Sequence, residues 1–166
     1  MRTAFIAAMV ATVVVVRAPA LSPALTGTWE LVSRIDRNAA GEVLSESSLG
    51  SLPIGYLIYD NAGHVAAQLS ARDRSGRVCD SSVASPDPNN NANIAGYSAY
   101  FGRYEIDAQA GIVTHIVTGT LLPADIGKRM ARHFAVAGDS LTVWFEPMTV
   151  NGTTRRRTLV WRRTGR

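Results

Sequence analysis

Eight short apolar-rich runs recur along this chain, most of them closed by residues that favour turns, and no interior stretch reads as a long amphipathic helix. The runs are Gly27 to Ile35, Ile54 to Tyr59, Val65 to Ser70, Tyr97 to Ile106, Ile112 to Gly119, Met130 to Val136, Leu141 to Glu146 and Thr154 to Trp161. Between them stand Asp60-Asn61-Ala62-Gly63, Asp107-Ala108-Gln109-Ala110-Gly111, Ala137-Gly138-Asp139 and Asn151-Gly152. Asn and Gly tolerate positive φ, and Asp and Asn hydrogen-bond their own backbone, so these pieces suit tight hairpins. Short runs at this spacing predict an all-β sandwich or barrel. Eight strands suit an antiparallel up-and-down barrel, whose interior is just wide enough to be filled by side chains or to hold one small ligand. Two segments break the rhythm: residues 72–96, polar and containing Pro86, Pro88 and Asn89-Asn90-Asn91, and the connection from Leu121 to Lys128. Long connections in compact domains are often lids or binding loops.

Successive side chains of a strand point to opposite faces, so alternation assigns an inside. In the first run Trp29, Leu31 and Ser33 share one face, and Glu30, Val32 and Arg34 the other. Tyr100, Gly102, Tyr104 and Ile106 oppose Arg103 and Glu105. Val113, His115 and Val117 share a side, as do Arg132, Phe134 and Val136. Leu141, Val143 and Phe145 form one face near the end, followed by Leu159 and Trp161.

The charge distribution narrows the partners. Of 17 basic residues, two lie in residues 1–20 and six in residues 155–166, both acid-free stretches, so nine remain against all 13 acids. The terminal arginines alternate with Leu159 and Trp161 as a solvated face of a last strand does. This pattern does not spread a basic, aromatic-studded face for nucleic acid. At the other end, Arg2 precedes the uncharged run Ala4 to Val16, and Arg17-Ala18-Pro19-Ala20 follows. A basic start, a short apolar core and a small-x-small site describe a secretory signal peptide. Thirteen apolar residues are too few for a free-standing span, which takes about 20. Residues 1–20 are therefore expected to be a signal peptide and residues 21–166 the barrel domain, secreted or periplasmic, without stable membrane insertion after cleavage. The single cysteine, Cys79, allows neither an internal disulfide nor a cysteine-based metal site. Asn151-Gly152-Thr153 is a formal glycosylation sequon.

The first run contains Leu25-Thr26-Gly27-Thr28-Trp29-Glu30-Leu31-Val32-Ser33, a Gly-x-Trp at the opening of a strand. Later come Gly55-Tyr56-Leu57-Ile58-Tyr59-Asp60, Gly63-His64-Val65, Ala67-Gln68-Leu69, Gly96-Tyr97 and Tyr100-Phe101-Gly102-Arg103-Tyr104-Glu105-Ile106-Asp107. His115 before Gly119, Arg132-His133-Phe134, Gly138-Asp139-Ser140-Leu141-Thr142 and Leu159-Val160-Trp161 complete the set. Together these resemble the lipocalin-like domain of many bacterial and fungal proteins, from about Leu25 to Arg163. The resemblance implies a ligand-holding, calycin-type barrel with Trp29 closing one end. Some such barrels in natural-product pathways act as cyclases or isomerases. The asparagine-rich 86–95 region departs from the family pattern.

No catalytic motif stands out: there is no Gly-x-Ser-x-Gly elbow, zinc helix, phosphate-binding glycine loop or dinucleotide fingerprint. The three histidines, His64, His115 and His133, show no convergent metal-ligand pattern, and neither metal nor cofactor is expected. The polar residues assigned to the interior carry the functional reading. A buried arginine such as Arg132 needs a carboxylate, or an anionic or carbonyl group on a ligand. A histidine beside it can exchange a proton near neutral pH. His115, Arg132 and Tyr104 are the candidate catalytic residues, and Tyr56, Gln68, Tyr100, Tyr104, His115, Arg132 and Phe134 the candidate ligand-binding set. Apolar walls with a few polar anchors characterise small-molecule sites. Two functions fit: a module binding a small, largely apolar molecule, or a cofactor-independent cyclase or isomerase acting on a polyketide- or terpenoid-like intermediate. In the second, the cup's shape holds a reactive conformer.

Overall fold

The computed structural model describes residues 24–45, 48–77, 89, 92–150 and 152–165. The expected signal peptide, Cys79 and Asn151 lie outside the described residues. Ten strands are present among them: β1 (Gly27–Arg37), β2 (Val43–Leu44), β3 (Ile54–Tyr59), β4 (His64–Ser70), β5 (Tyr97–Asp107), β6 (Ile112–Thr120), β7 (Arg129–Ala137), β8 (Ser140–Trp144), β9 (Met148–Val150) and β10 (Thr153–Gly165), with a 3₁₀ turn at Pro123–Asp125. The order β1-β3-β4-β5-β6-β7-β8-β10 is closed by pairing of β10 with β1, and every pairing is antiparallel. This is the eight-stranded up-and-down barrel that the eight runs predict. The short β2 and β9 are additions beyond those runs, each lengthening a hairpin against β1 or β10.

The hairpin chemistry works as its residues dictate. Asp60 Oδ1 accepts the Ala62 and His64 amides, and Gly63 takes a positive φ of 87°, closing the β3–β4 turn. At the barrel end Trp29 is fully buried, and its indole N–H donates to the Leu25 carbonyl at 2.9 Å. The Arg163 guanidinium lies 3.9 Å from the centre of a Trp29 ring and donates to the Thr26 and Ala24 carbonyls. Trp29 thus sits at the β1–β10 seam, held from both strands.

Two corrections to the assigned faces follow from β-bulges and strand parity. Leu31 pairs with Trp161 and Ser33 with Val160, so Val32 is an extra residue opposite no partner. A bulge puts two residues against one and reverses inside and outside beyond it. Val32 is 58% exposed, while Arg34 and Asp36 are buried. Alternation counted from Trp29 without the bulge places Arg34 outward, opposite to where the bulge puts it. The terminal arginines are likewise not one solvated face. Arg157 and Arg163 share the parity of Leu159 and Trp161, with side chains only 8% exposed, whereas Arg162 faces solvent.

Another bulge lies between β5 and β6. Phe101 pairs with Gly119 and Gly102 with Val117, leaving Thr118 as the extra residue. A Cβ on Gly102 would overlap the Ile116 carbonyl oxygen. The missing side chain is what lets β6 approach β5 here, immediately beside the interior residues Tyr100, Tyr104 and His115.

Candidate functional site

The barrel wall is apolar through Leu57, Val65, Val113, Val117, Leu141 and Trp161, all buried. Into this wall β6 places His115, 2% exposed. Register sets Tyr104 of β5 and Met130 of β7 directly beside it, and Arg132 diagonally, opposite Val113. The hairpin register also sets Tyr59 opposite Val65, an inward residue of β4.

Both ring nitrogens of His115 are engaged by tyrosines. The Tyr59 hydroxyl lies 2.6 Å from Nε2 and the Tyr100 hydroxyl 2.7 Å from Nδ1. Burial, and then the nearby Arg132 charge, hold the imidazole pKa well below 6.5. Burial likewise raises both phenols above their ordinary 10. The triad is therefore neutral at physiological pH. A neutral imidazole has one N–H and one acceptor nitrogen. With two phenol hydrogens, the triad holds three polar hydrogens and makes two internal contacts. Whichever tautomer forms, one tyrosine hydroxyl keeps a hydrogen that the triad does not use.

Arg132 completes the cluster. Its Nη1 donates to Asn89 Oδ1 at 2.6 Å and to the Ala131 carbonyl at 3.0 Å, and its Nη2 lies 3.3 Å from the Met130 sulfur. Its guanidinium carbon is 4.0 Å from the centre of the Phe145 ring. Burial lowers its pKa from 12.5 to about 10, so it stays charged at neutral pH. None of these partners is a carboxylate. The Arg157 guanidinium, 5.9 Å from the same Phe145 ring, adds a like charge.

Beyond Phe145 lies a compensated cluster. Arg157 clamps Asp36 through two 2.8 Å bonds, and Arg155 adds a third at 3.3 Å. The β1 bulge brings Asp36 inside to meet them. Burial pushes its carboxyl up, but the Arg157 bond and charge, then Arg34 and Arg155, outweigh that and leave it below 3.8. At the β6–β7 connection, buried Asp125 accepts the Ala92 amide at 2.6 Å and pairs with Lys128 at 2.7 Å. This anchors the end of the 72–96 connection close to where Asn89 meets Arg132.

The sequence-based candidates divide as follows. His115, Arg132 and Tyr100 come together. Phe134 is partly buried and packs against the core. Tyr104 is inside, but its hydroxyl donates to the Asp60 carbonyl at 2.8 Å, and its ring packs edge-on against Tyr59 at 4.9 Å. It buttresses Tyr59 and does not join the His115 network. Tyr56 and Gln68 are corrections: they pair with each other on the outer face, Tyr56 is 50% exposed, and Gln68 bonds the Tyr97 hydroxyl at 3.1 Å. In β3 the inward parity belongs to Leu57 and Tyr59, not Tyr56. Sequence reasoning missed Tyr59 because β3 is apolar on both faces, with Ile54, Tyr56 and Ile58 outside. The signal was the Asp60–Gly63 hairpin, whose register ties Tyr59 to Val65. His133 stacks on Trp144 and bonds Glu146 at 2.6 Å near the surface, away from His115.

Among the described residues, no three His, Cys, Asp or Glu side chains converge as metal ligands, and no helix is long and apolar enough to cross a membrane. A family model described as a lipocalin-like domain matches residues 26–164. No curated protein and no solved structure matches the chain.

Proposed function

The chain belongs to the lipocalin-like domain family, and from that premise we propose that its barrel binds a small, largely apolar molecule against the cluster of His115, Tyr59, Tyr100 and Arg132. The fold is compatible with such binding. The observation that carries the reading is the unused tyrosine hydrogen beside a charged arginine with neutral partners, all set in an apolar wall. A purely structural interior tends to close its polar inventory, because buried polar groups without partners are costly. A cluster that, among the described residues, leaves one donor unused within the triad and one cation without a carboxylate partner is suited to an incoming oxygen.

The test is titration of the purified protein with N-phenyl-1-naphthylamine, a neutral apolar fluorophore. Saturable binding with a blue shift, competed by apolar molecules of similar size, is the expected result. No saturable binding of the probe or its competitors defeats the reading.

A second reading draws on the same triad. A Tyr59–His115–Tyr100 chain can pass a proton between its two ends, as a cofactor-independent cyclase or isomerase requires. The Arg132 charge would then stabilise charge developing on the substrate. A carrier retains its ligand unchanged, and His115→Ala alters affinity modestly. An enzyme turns its ligand over, and the same substitution cuts the rate by about 100-fold or more. Export by the expected 1–20 leader belongs to this proposal too. Mass spectrometry of the mature N-terminus tests it, with cleavage after Ala20 as the expected outcome.

A further inference from the structure

We infer that the ligand is an acid: an apolar molecule carrying one carboxylate, which seats against Arg132 and accepts the unused tyrosine hydrogen. This deepens the binding reading above and rests on it.

Arg132 is 3% exposed, and its guanidinium contacts are the Asn89 carboxamide, the Ala131 carbonyl, the Met130 sulfur and the Phe145 ring. All are neutral. Among the described residues, Arg157 brings a nearby charge of the same sign. The contrast lies within the same barrel, where Arg157 has a two-point clamp on Asp36. Among the described residues no carboxylate contacts Arg132; a buried cation so placed is an expensive arrangement, and an anion arriving from outside removes the imbalance.

The shape of the donors narrows the anion. A guanidinium presents N–H groups in a planar fork that matches a carboxylate. Asn89 already holds a planar sp² oxygen 2.6 Å from Nη1, so the position accepts the kind of oxygen a carboxylate carries. One guanidinium and one hydroxyl hydrogen match one negative charge on two oxygens. A phosphate dianion would ask for more donors and more positive charge than this cluster supplies. The walls on which Arg132 sits, Val113, Met130 and Phe145, are apolar. They favour an acid with an apolar body over a free carboxylate such as acetate.

The test compares matched pairs of probes that differ only at the head: decanoate against decan-1-ol, and 2-naphthoate against 2-naphthol, by calorimetry at pH 7.5. Charge-assisted hydrogen bonds to a buried group predict that at least one acid binds about 10- to 100-fold tighter than its alcohol. Arg132→Met should abolish that preference, with circular dichroism reporting whether the variant is folded. Tyr59→Phe and Tyr100→Phe should each reduce it. If Arg132→Met does not fold, the wild-type comparison still decides. Equal affinity for acid and alcohol, with N-phenyl-1-naphthylamine still binding, overturns the acid inference and leaves the apolar-ligand reading intact. Failure of all five probes to bind overturns both.

Discussion

Mild acid should strip stability from this protein through His115. The perturbation is a pH drop from 7.5 to 5.0. His115 is 2% exposed, and burial, then Arg132, hold its folded pKa well below 6.5. The geometry alone does not forbid protonation, since both tyrosine oxygens could accept from an imidazolium. Hydrogen bonds to a charged group contribute about 1.5–3 kcal/mol. Burial of the charge costs several kcal/mol, and the neighbouring guanidinium adds repulsion, so the neutral form wins. The sign then follows. Below about pH 6.5 the unfolded chain takes a proton on this imidazole and the folded chain does not. Stability therefore rises with pH up to about 6.5 and is flat above it as far as this group is concerned. It falls on acidification with a limiting slope of about 1.4 kcal/mol per pH unit, until the folded pKa is reached. With a urea m-value of about 1–3 kcal/mol/M, that is a midpoint shift of about 0.5–1.4 M per unit. The assay is urea unfolding at pH 7.5, 6.5, 5.5 and 5.0, followed by tryptophan fluorescence, with His115→Gln as the reference. Glutamine offers one donor and one acceptor group but does not titrate. Parallel stability curves for the two proteins across this range would refute the reasoning.

Other outcomes follow from the same structure. Asp36→Asn leaves buried arginines without their carboxylate and should cost about 3–5 kcal/mol in urea unfolding. Wild type should lose the same interaction as pH falls below about 4, because a carboxyl lowered in the folded state stabilises only while ionised. Gly102→Ala drives a Cβ into the Ile116 carbonyl, and thermal melting should show one of the larger losses for a single methyl in this barrel. Tyr56→Ala and Gln68→Ala, on the outer face, should leave the Kd for N-phenyl-1-naphthylamine within about two-fold, since surface changes of this kind usually act within about 0.5 kcal/mol.

The barrel itself was legible because its information is local. Each hairpin carries its own turn residues, as Asp60–Gly63 does between β3 and β4. Polar and apolar positions alternate within β5, β6 and β7 clearly enough to assign Tyr100, His115 and Arg132 to the interior. The faces failed where local information was interrupted or absent. Val32 adds one residue to β1, and nothing in its neighbours marks the reversal that brings Arg34 and Asp36 inside. β3 is apolar on both sides, so its own alternation cannot say that Tyr59 and not Tyr56 faces in.

From residues alone came the strand number, the hairpin order, the resemblance to the lipocalin-like domain and the inward parity of His115 and Arg132. Closure of the barrel decided which of those inward groups meet. Tyr59 and His115 are 56 residues apart, and Asp36 and Arg157 are 121 apart. A period-two pattern reports a side chain's face only as far as the next bulge or turn. Whether that face meets a tyrosine, a carboxylate or a carboxamide depends on registers added up around eight strands.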